Sequence, residues 1–128
     1  MSYYYFIIFG LIFGSFYNVI IYRNPLNKSI IRPRSYCQDC KSFIPFYFNI
    51  PIVSYIILLG KCWNCKHPIS IQYPIVELIT SFFWYWSYTN YDIYECIFFI
   101  WMTSILTIIA FIDLKHLIIP TKLILLAF

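Results

Sequence analysis

The chain has 128 residues, of which 62% are hydrophobic and only 11% charged, with a mean hydropathy of +0.74. Soluble domains carry charge on roughly a quarter of their residues, so this composition argues against a water-soluble globule and for a chain solvated largely by lipid. Nine Lys+Arg against five Asp+Glu give a formal +4; a total of that size fits nucleic acid or anionic lipid, and the placement of the charges decides for the membrane.

Residues 1–22 form the first predicted transmembrane helix. No charge falls between Tyr3 and Tyr22, and about 20 helical residues at ~1.5 Å each cross the hydrocarbon core. A cleaved signal peptide would need a basic leader and a small-residue cleavage site before Arg23, and neither is present. Within this span Gly10-Leu-Ile-Phe-Gly14 is a GxxxG step, with Asn18 one turn later on the same face. Small residues let a second helix approach closely and an amide can bond across the contact, so helix packing is the expected role.

Residues 23–68 form a polar loop with seven of the nine basic residues, Arg23, Lys28, Arg32, Arg34, Lys41, Lys61 and Lys66. Its middle, Ile44 to Gly60, is apolar but broken by Pro45 and Pro51. A full crossing there would separate the two cysteine pairs, so a shallow interfacial or protein-packed segment is expected. Residues 69–91 and 93–112 are the second and third predicted spans, joined by a short turn at Asp92. Residues 113–128 carry Asp113 and the start of a fourth helix. This topology puts every basic residue on one side, which the positive-inside rule makes cytoplasmic. The expected fold is therefore an all-α polytopic membrane protein of about three transmembrane helices plus the start of a fourth.

Cys37-Gln-Asp-Cys40 and Cys62-Trp-Asn-Cys65 are two CxxC pairs separated by 21 residues, close to the spacing of a zinc site. Four thiolates at ~2.3 Å complete a closed tetrahedral shell, so Cys37, Cys40, Cys62 and Cys65 are the expected ligands of a structural zinc that staples the loop. Lys41, Lys61 and Lys66 offset the charge of such a tetrathiolate. Disulfides or buried free thiols are the alternative, and stable disulfides are disfavoured in a reducing cytoplasm. His67 reads as solvated and Cys96 as a packing residue.

Asp113 lies at the end of the third span, where the helix dipole and the low dielectric both disfavour a carboxylate's charge. That suits a group that gives or takes a proton; pairing with Lys115 or His116 as a topology marker is the competing reading. Glu77, near the start of the second span, reads as an anchor.

In order along the chain come Gly14-Ser-Phe-Tyr-Asn-Val19, Arg23-Asn-Pro25, Arg34-Ser-Tyr-Cys37-Gln-Asp-Cys40, Asn49-Ile-Pro51, Gly60-Lys-Cys62-Trp-Asn-Cys65, Tyr73-Pro-Ile-Val-Glu-Leu78, Ile112-Asp-Leu-Lys-His116 and Ile119-Pro120. Together they resemble the type IV prepilin peptidases over nearly the whole length. The resemblance implies a bacterial inner-membrane aspartyl endopeptidase that removes the leaders of type IV prepilins or type II secretion pseudopilins. Many members then methylate the new N-terminus with S-adenosylmethionine. It further implies that Asp113 is one of two catalytic aspartates and that the four cysteines form the cytoplasmic zinc element. No Asp follows Asp113, so the expectation is a truncated enzyme, a split one completed by a second chain, or a homodimer. A non-enzymatic, zinc-stapled membrane scaffold or assembly subunit is the alternative function.

Overall fold

The computed structural model describes residues 2–116 and Leu125. The start of a fourth helix expected within 113–128, with Ile119, Pro120 and Lys122, lies outside the described residues apart from Leu125. Among the described residues four helices follow in order: α1 (Ser2–Arg23), a short α2 (Val53–Ile57) preceded by a 3-10 turn (Phe46–Asn49), α3 (Gln72–Asn90) and α4 (Ile93–His116). Among the described residues there is no strand, only two isolated bridges, Tyr36 to Phe43 and Lys61 to Pro68. Among the described residues two helices, α1 and α4, are long and apolar enough to cross a membrane.

Local chemistry sets the ends. Pro25 disfavours helix at Asn24, and α1 stops at Arg23. The buried Arg23 guanidinium then donates to the carbonyls of Ser29 (3.1 Å), Ile30 (3.3 Å) and Arg34 (3.4 Å), gathering the start of the loop beneath the helix end. Pro74 sits in the first turn of α3, where its missing N–H breaks no helical bond. Glu95 in the first turn of α4 and Lys115 and His116 in its last turn each complement the helix dipole. Nothing in the sequence stops α4 at Ile112, and the helix runs on through Asp113 to His116.

α1 and α3 share the most extensive contact in the molecule, and they pack antiparallel in steps of four residues. Gly10 lies against Ser81 and Gly14 against Glu77, so close that a Cβ on Gly10 would stand 2.5 Å from the Ser81 Cα, and one on Gly14 2.7 Å from the Glu77 Cα. The expected packing role of this step is what the structure shows. Asn18, 2% exposed, continues the stripe by donating from Nδ2 to the Tyr73 carbonyl at 3.0 Å. Ser81 Oγ donates to the Ile7 carbonyl at 3.1 Å, and the Tyr17 hydroxyl reaches Ser104 Oγ on α4 at 2.8 Å. Tyr17, Ile21, Val76, Ile108 and Ile112 close the core where the three helices meet.

The distribution is inverted relative to a soluble bundle. Asn18, Thr80, Ser81, Ser87, Ser104 and Thr107 are buried, whereas Ile8, Phe9, Phe16, Phe82, Trp86, Phe98 and Leu106 face outward. Small and polar contacts inside with large apolar side chains outside are what lipid as solvent selects.

Candidate metal centre

The two cysteine pairs fold into two copies of one turn, offset by 25 residues. In the first, the Ile44 N–H donates to Ser35 O, Cys37 N–H to Ser42 O and Lys41 N–H to Cys37 O. In the second, Ile69 donates to Gly60 O, Cys62 to His67 O and Lys66 to Cys62 O. Lys41 and Lys66 occupy matching left-handed positions, φ 58° and 60°, which let each chain double back so that both sulfurs of a pair converge.

The four sulfurs lie within 4.8 Å of one another. Cys37 Sγ is 3.7 Å from Cys65 Sγ, and Cys40 Sγ is 3.9 Å from Cys62 Sγ. A tetrahedral ion with metal–sulfur bonds of ~2.3 Å requires sulfur separations of about 3.8 Å, which these two pairs already match, so the donor set suits zinc. Those separations are far longer than a disulfide of ~2.05 Å, and all five cysteines are free. Cross-turn contacts hold the two halves together: Asn64 Nδ2 donates to Ser42 Oγ at 2.7 Å, and His67 Nε2 stands 3.5 Å from Asp39 Oδ2. His67 is thus exposed and paired with a carboxylate, outside the sulfur cluster.

Electrostatics divide the thiols. The Ser42 hydroxyl and backbone N–H, both bonded to Cys40, pull its thiol down to about 6. At Cys65 the backbone bond from His67 works in the same direction, but burial and the sulfurs of Cys62, Cys37 and Cys40 outweigh it and push that thiol up to about 11. Four thiolates cannot share so small a volume unaided, and a bound dication removes that repulsion.

Between this centre and the ends of α1 and α3 lies a cavity of about 470 Å³. Its polar lining includes Asn18, Tyr22, Tyr36, Asp39, Tyr73 and Glu77. Glu77 is buried, and its Oε2 accepts a 2.7 Å hydrogen bond from the Ile52 N–H, so it anchors the apolar middle of the loop as well as α3. Asp113 is brought to the same end of the bundle but does not line the cavity. It is half-buried beside Ile112, and no ion pair with Lys115 or His116 forms among the described residues. The Lys115 ammonium instead lies 5.7 Å from the Tyr22 ring centre. Sequence reasoning missed Ser42 and Asn64 as supports of the centre; the repeated Cys-x-x-Cys-Lys, ending at Lys41 and Lys66, was the available signal.

A model of the family described as Bacterial Peptidase A24 N-terminal domain matches residues 8–91. The prepilin leader peptidase/N-methyltransferase of Myxococcus xanthus is 41% identical over 117 residues, covering 91% of this chain and 35% of that protein. The Bacillus subtilis protein of the same name is 38% identical over 120 residues (91% and 47%), and that of Vibrio cholerae 37% over 138 (96% and 53%). The chain therefore spans from about a third to about half the length of these relatives. No solved structure matches it. With the family's match running from α1 through both cysteine turns to the end of α3, this chain belongs to the bacterial peptidase A24 N-terminal domain family.

Proposed function

We propose that this chain is the N-terminal part of a membrane aspartyl endopeptidase that removes the leaders of type IV prepilins or type II secretion pseudopilins. α1, α3 and α4 cross the bacterial inner membrane, with the cysteine loop cytoplasmic because seven of the nine basic residues lie on it. Cys37, Cys40, Cys62 and Cys65 hold a structural zinc, which closes the loop and leaves no open coordination position for chemistry. Asp113 is one of two catalytic carboxylates. One carboxylate activates water while its partner, kept protonated, donates to the scissile carbonyl, and the partner comes from a further segment or a second chain.

The observation that carries this reading is the position of Asp113 in the last turn of α4, at the same end of the bundle as the metal centre. A leader cut there is cut at the membrane face. The adjoining cavity, with the Tyr22, Tyr36 and Tyr73 rings and the Asp39 and Glu77 carboxylates, suits the sulfonium of S-adenosylmethionine, which supplies the methyl group for the new N-terminus.

The test is co-expression of this chain with a prepilin, alone and together with the C-terminal half of the Myxococcus xanthus relative. Leader removal by the parent in either arm, lost on Asp113→Asn, supports the proposal. Intact leader in both arms, or unchanged cleavage by Asp113→Asn, overturns it.

A further inference from the structure

Between the two cysteine turns, residues 42–60 contain no charged side chain, and they fold as a two-faced strap. Phe48, Ile52, Tyr55 and Leu58 line the cavity. Phe46, Tyr47, Ile50, Val53, Ile56 and Ile57 point the other way and are exposed, Phe46 by 76% and Ile57 by 67%.

The strap does not rest on top of the bundle. Its centre, the Ile52 N–H, is fixed to Glu77, which lies five residues inside α3 from Gln72 and directly against Gly14 of α1. At ~1.5 Å per residue this is about 7 Å below the start of α3 and about 13 Å below Arg23 at the end of α1. Ile52 is therefore level with the apolar middle of α1 and α3, where Phe16 and Leu78 are exposed as the strap's outward residues are.

Its backbone is prepared for such a place. Pro45 and Pro51 have no N–H to satisfy. Phe48 donates to Pro45 O, Ser54 to Ile50 O, Ile56 to Ile52 O, Leu58 to Ser54 O and Gly60 to Tyr55 O, while the Ser54 hydroxyl also caps Ile50 O. Each donor so bonded needs no water, which is what hydrocarbon demands of a backbone. Ile52 holds φ at 60°, a conformation that a β-branched residue adopts only when its surroundings impose it. The Glu77 carboxylate accepts the N–H of this same residue. At the rim, exposed Lys41, Lys61 and Lys66 match the anionic headgroup layer.

We infer that residues 46–59 are a re-entrant membrane strap whose outward face, Phe46, Tyr47, Ile50, Val53, Ile56 and Ile57, is embedded in the lipid of the cytoplasmic leaflet. Its inner face walls the cavity off from that lipid. The inference rests on the membrane placement of α1 and α4 and is independent of peptidase chemistry.

The test places the photo-crosslinking residue benzoylphenylalanine singly at Phe46, Ile57, Tyr55 or Phe16 in the full chain. Each variant is reconstituted in vesicles of phosphatidylethanolamine and phosphatidylglycerol, illuminated and weighed by intact mass spectrometry. Phospholipid adducts at Phe46 and Ile57 comparable to those at Phe16 in mid-α1, and at least about tenfold above Tyr55, are expected. Adducts at Phe16 but none at Phe46 and Ile57 overturn the strap, as do adducts there to a second copy of the chain. Absence of lipid adducts at Phe16 as well overturns the membrane placement, and the strap with it.

Discussion

Replacing Gly14 with alanine tests the close contact on which the bundle is built. The new methyl would stand 2.7 Å from the Glu77 Cα, and at Gly10 the corresponding distance to Ser81 is 2.5 Å. Ordinary carbon contacts begin near 3.4 Å, so α1 must retreat from α3 by at least about 0.7 Å in the first case and about 0.9 Å in the second. Neither obstacle is a flexible side-chain end; both are helix backbone. Gaps of ~0.5–1 Å forfeit a quarter to a half of each dispersion contact, and the Asn18 bond to Tyr73, at 3.0 Å, stretches with them. Overpacking of this kind costs about 1–3 kcal/mol. One retreat accommodates both methyls, so the Gly10→Ala, Gly14→Ala double variant should lose clearly less than the sum of the single losses. Unfolding of the full chain by sodium dodecyl sulfate in mixed micelles, followed by far-ultraviolet circular dichroism, measures this. Single variants as stable as the parent, or strictly additive losses, would refute the reasoning.

Three further outcomes are expected. Cys40→Ser lowers zinc content to well below one ion per chain by mass spectrometry, whereas Cys96→Ser, buried within α4 away from the cluster, leaves it unchanged. Zinc affinity falls as pH drops below about 11, where Cys65 takes up its proton, and falls more steeply below about 6, where Cys40 takes up its own; near pH 8 uptake of the ion therefore releases protons. Competition against a chromophoric chelator across that range reads both effects. Finally, Glu77→Leu removes the acceptor for the Ile52 N–H, a loss of about 1–3 kcal/mol. Exchange of the Ile52 amide should quicken roughly tenfold or more, while Glu77→Gln, which keeps an acceptor oxygen, preserves much of the protection.

What the sequence made legible was chemistry that is local in the chain. The CxxC spacing announced four convergent sulfurs because each pair is held by one tight turn. The Gly10 and Gly14 step pointed to a close helix contact because two small residues on an apolar face let a second helix approach. What it hid was the other half of each contact. Tyr73, Glu77 and Ser81 follow the same step of four, yet polar side chains at those positions give no sign that their backbone is what meets the glycines. Residues 44–60 were expected to be shallow or protein-packed, and their division into an inner and an outer face depends on Glu77 seizing one N–H 25 residues away. The doubling of the cysteine turn was legible only as the paired cysteines with the lysine that follows each, since the rest of the likeness is carried by backbone bonds.

The strap lies between the inner cysteines, Cys40 and Cys62, which face each other across the cluster. An ion held there would tie a ring of chain shut around it. By analogy with a disulfide, closing a loop of this size removes about 3 kcal/mol of disorder from the unfolded chain. The beneficiary is the strap more than the cysteines, since an uncharged segment with two prolines has too little helix of its own to hold a shape. The ion would then act as a clasp whose release slackens the apolar loop and the cavity wall it forms, linking the metal state of the loop to how the chain meets lipid.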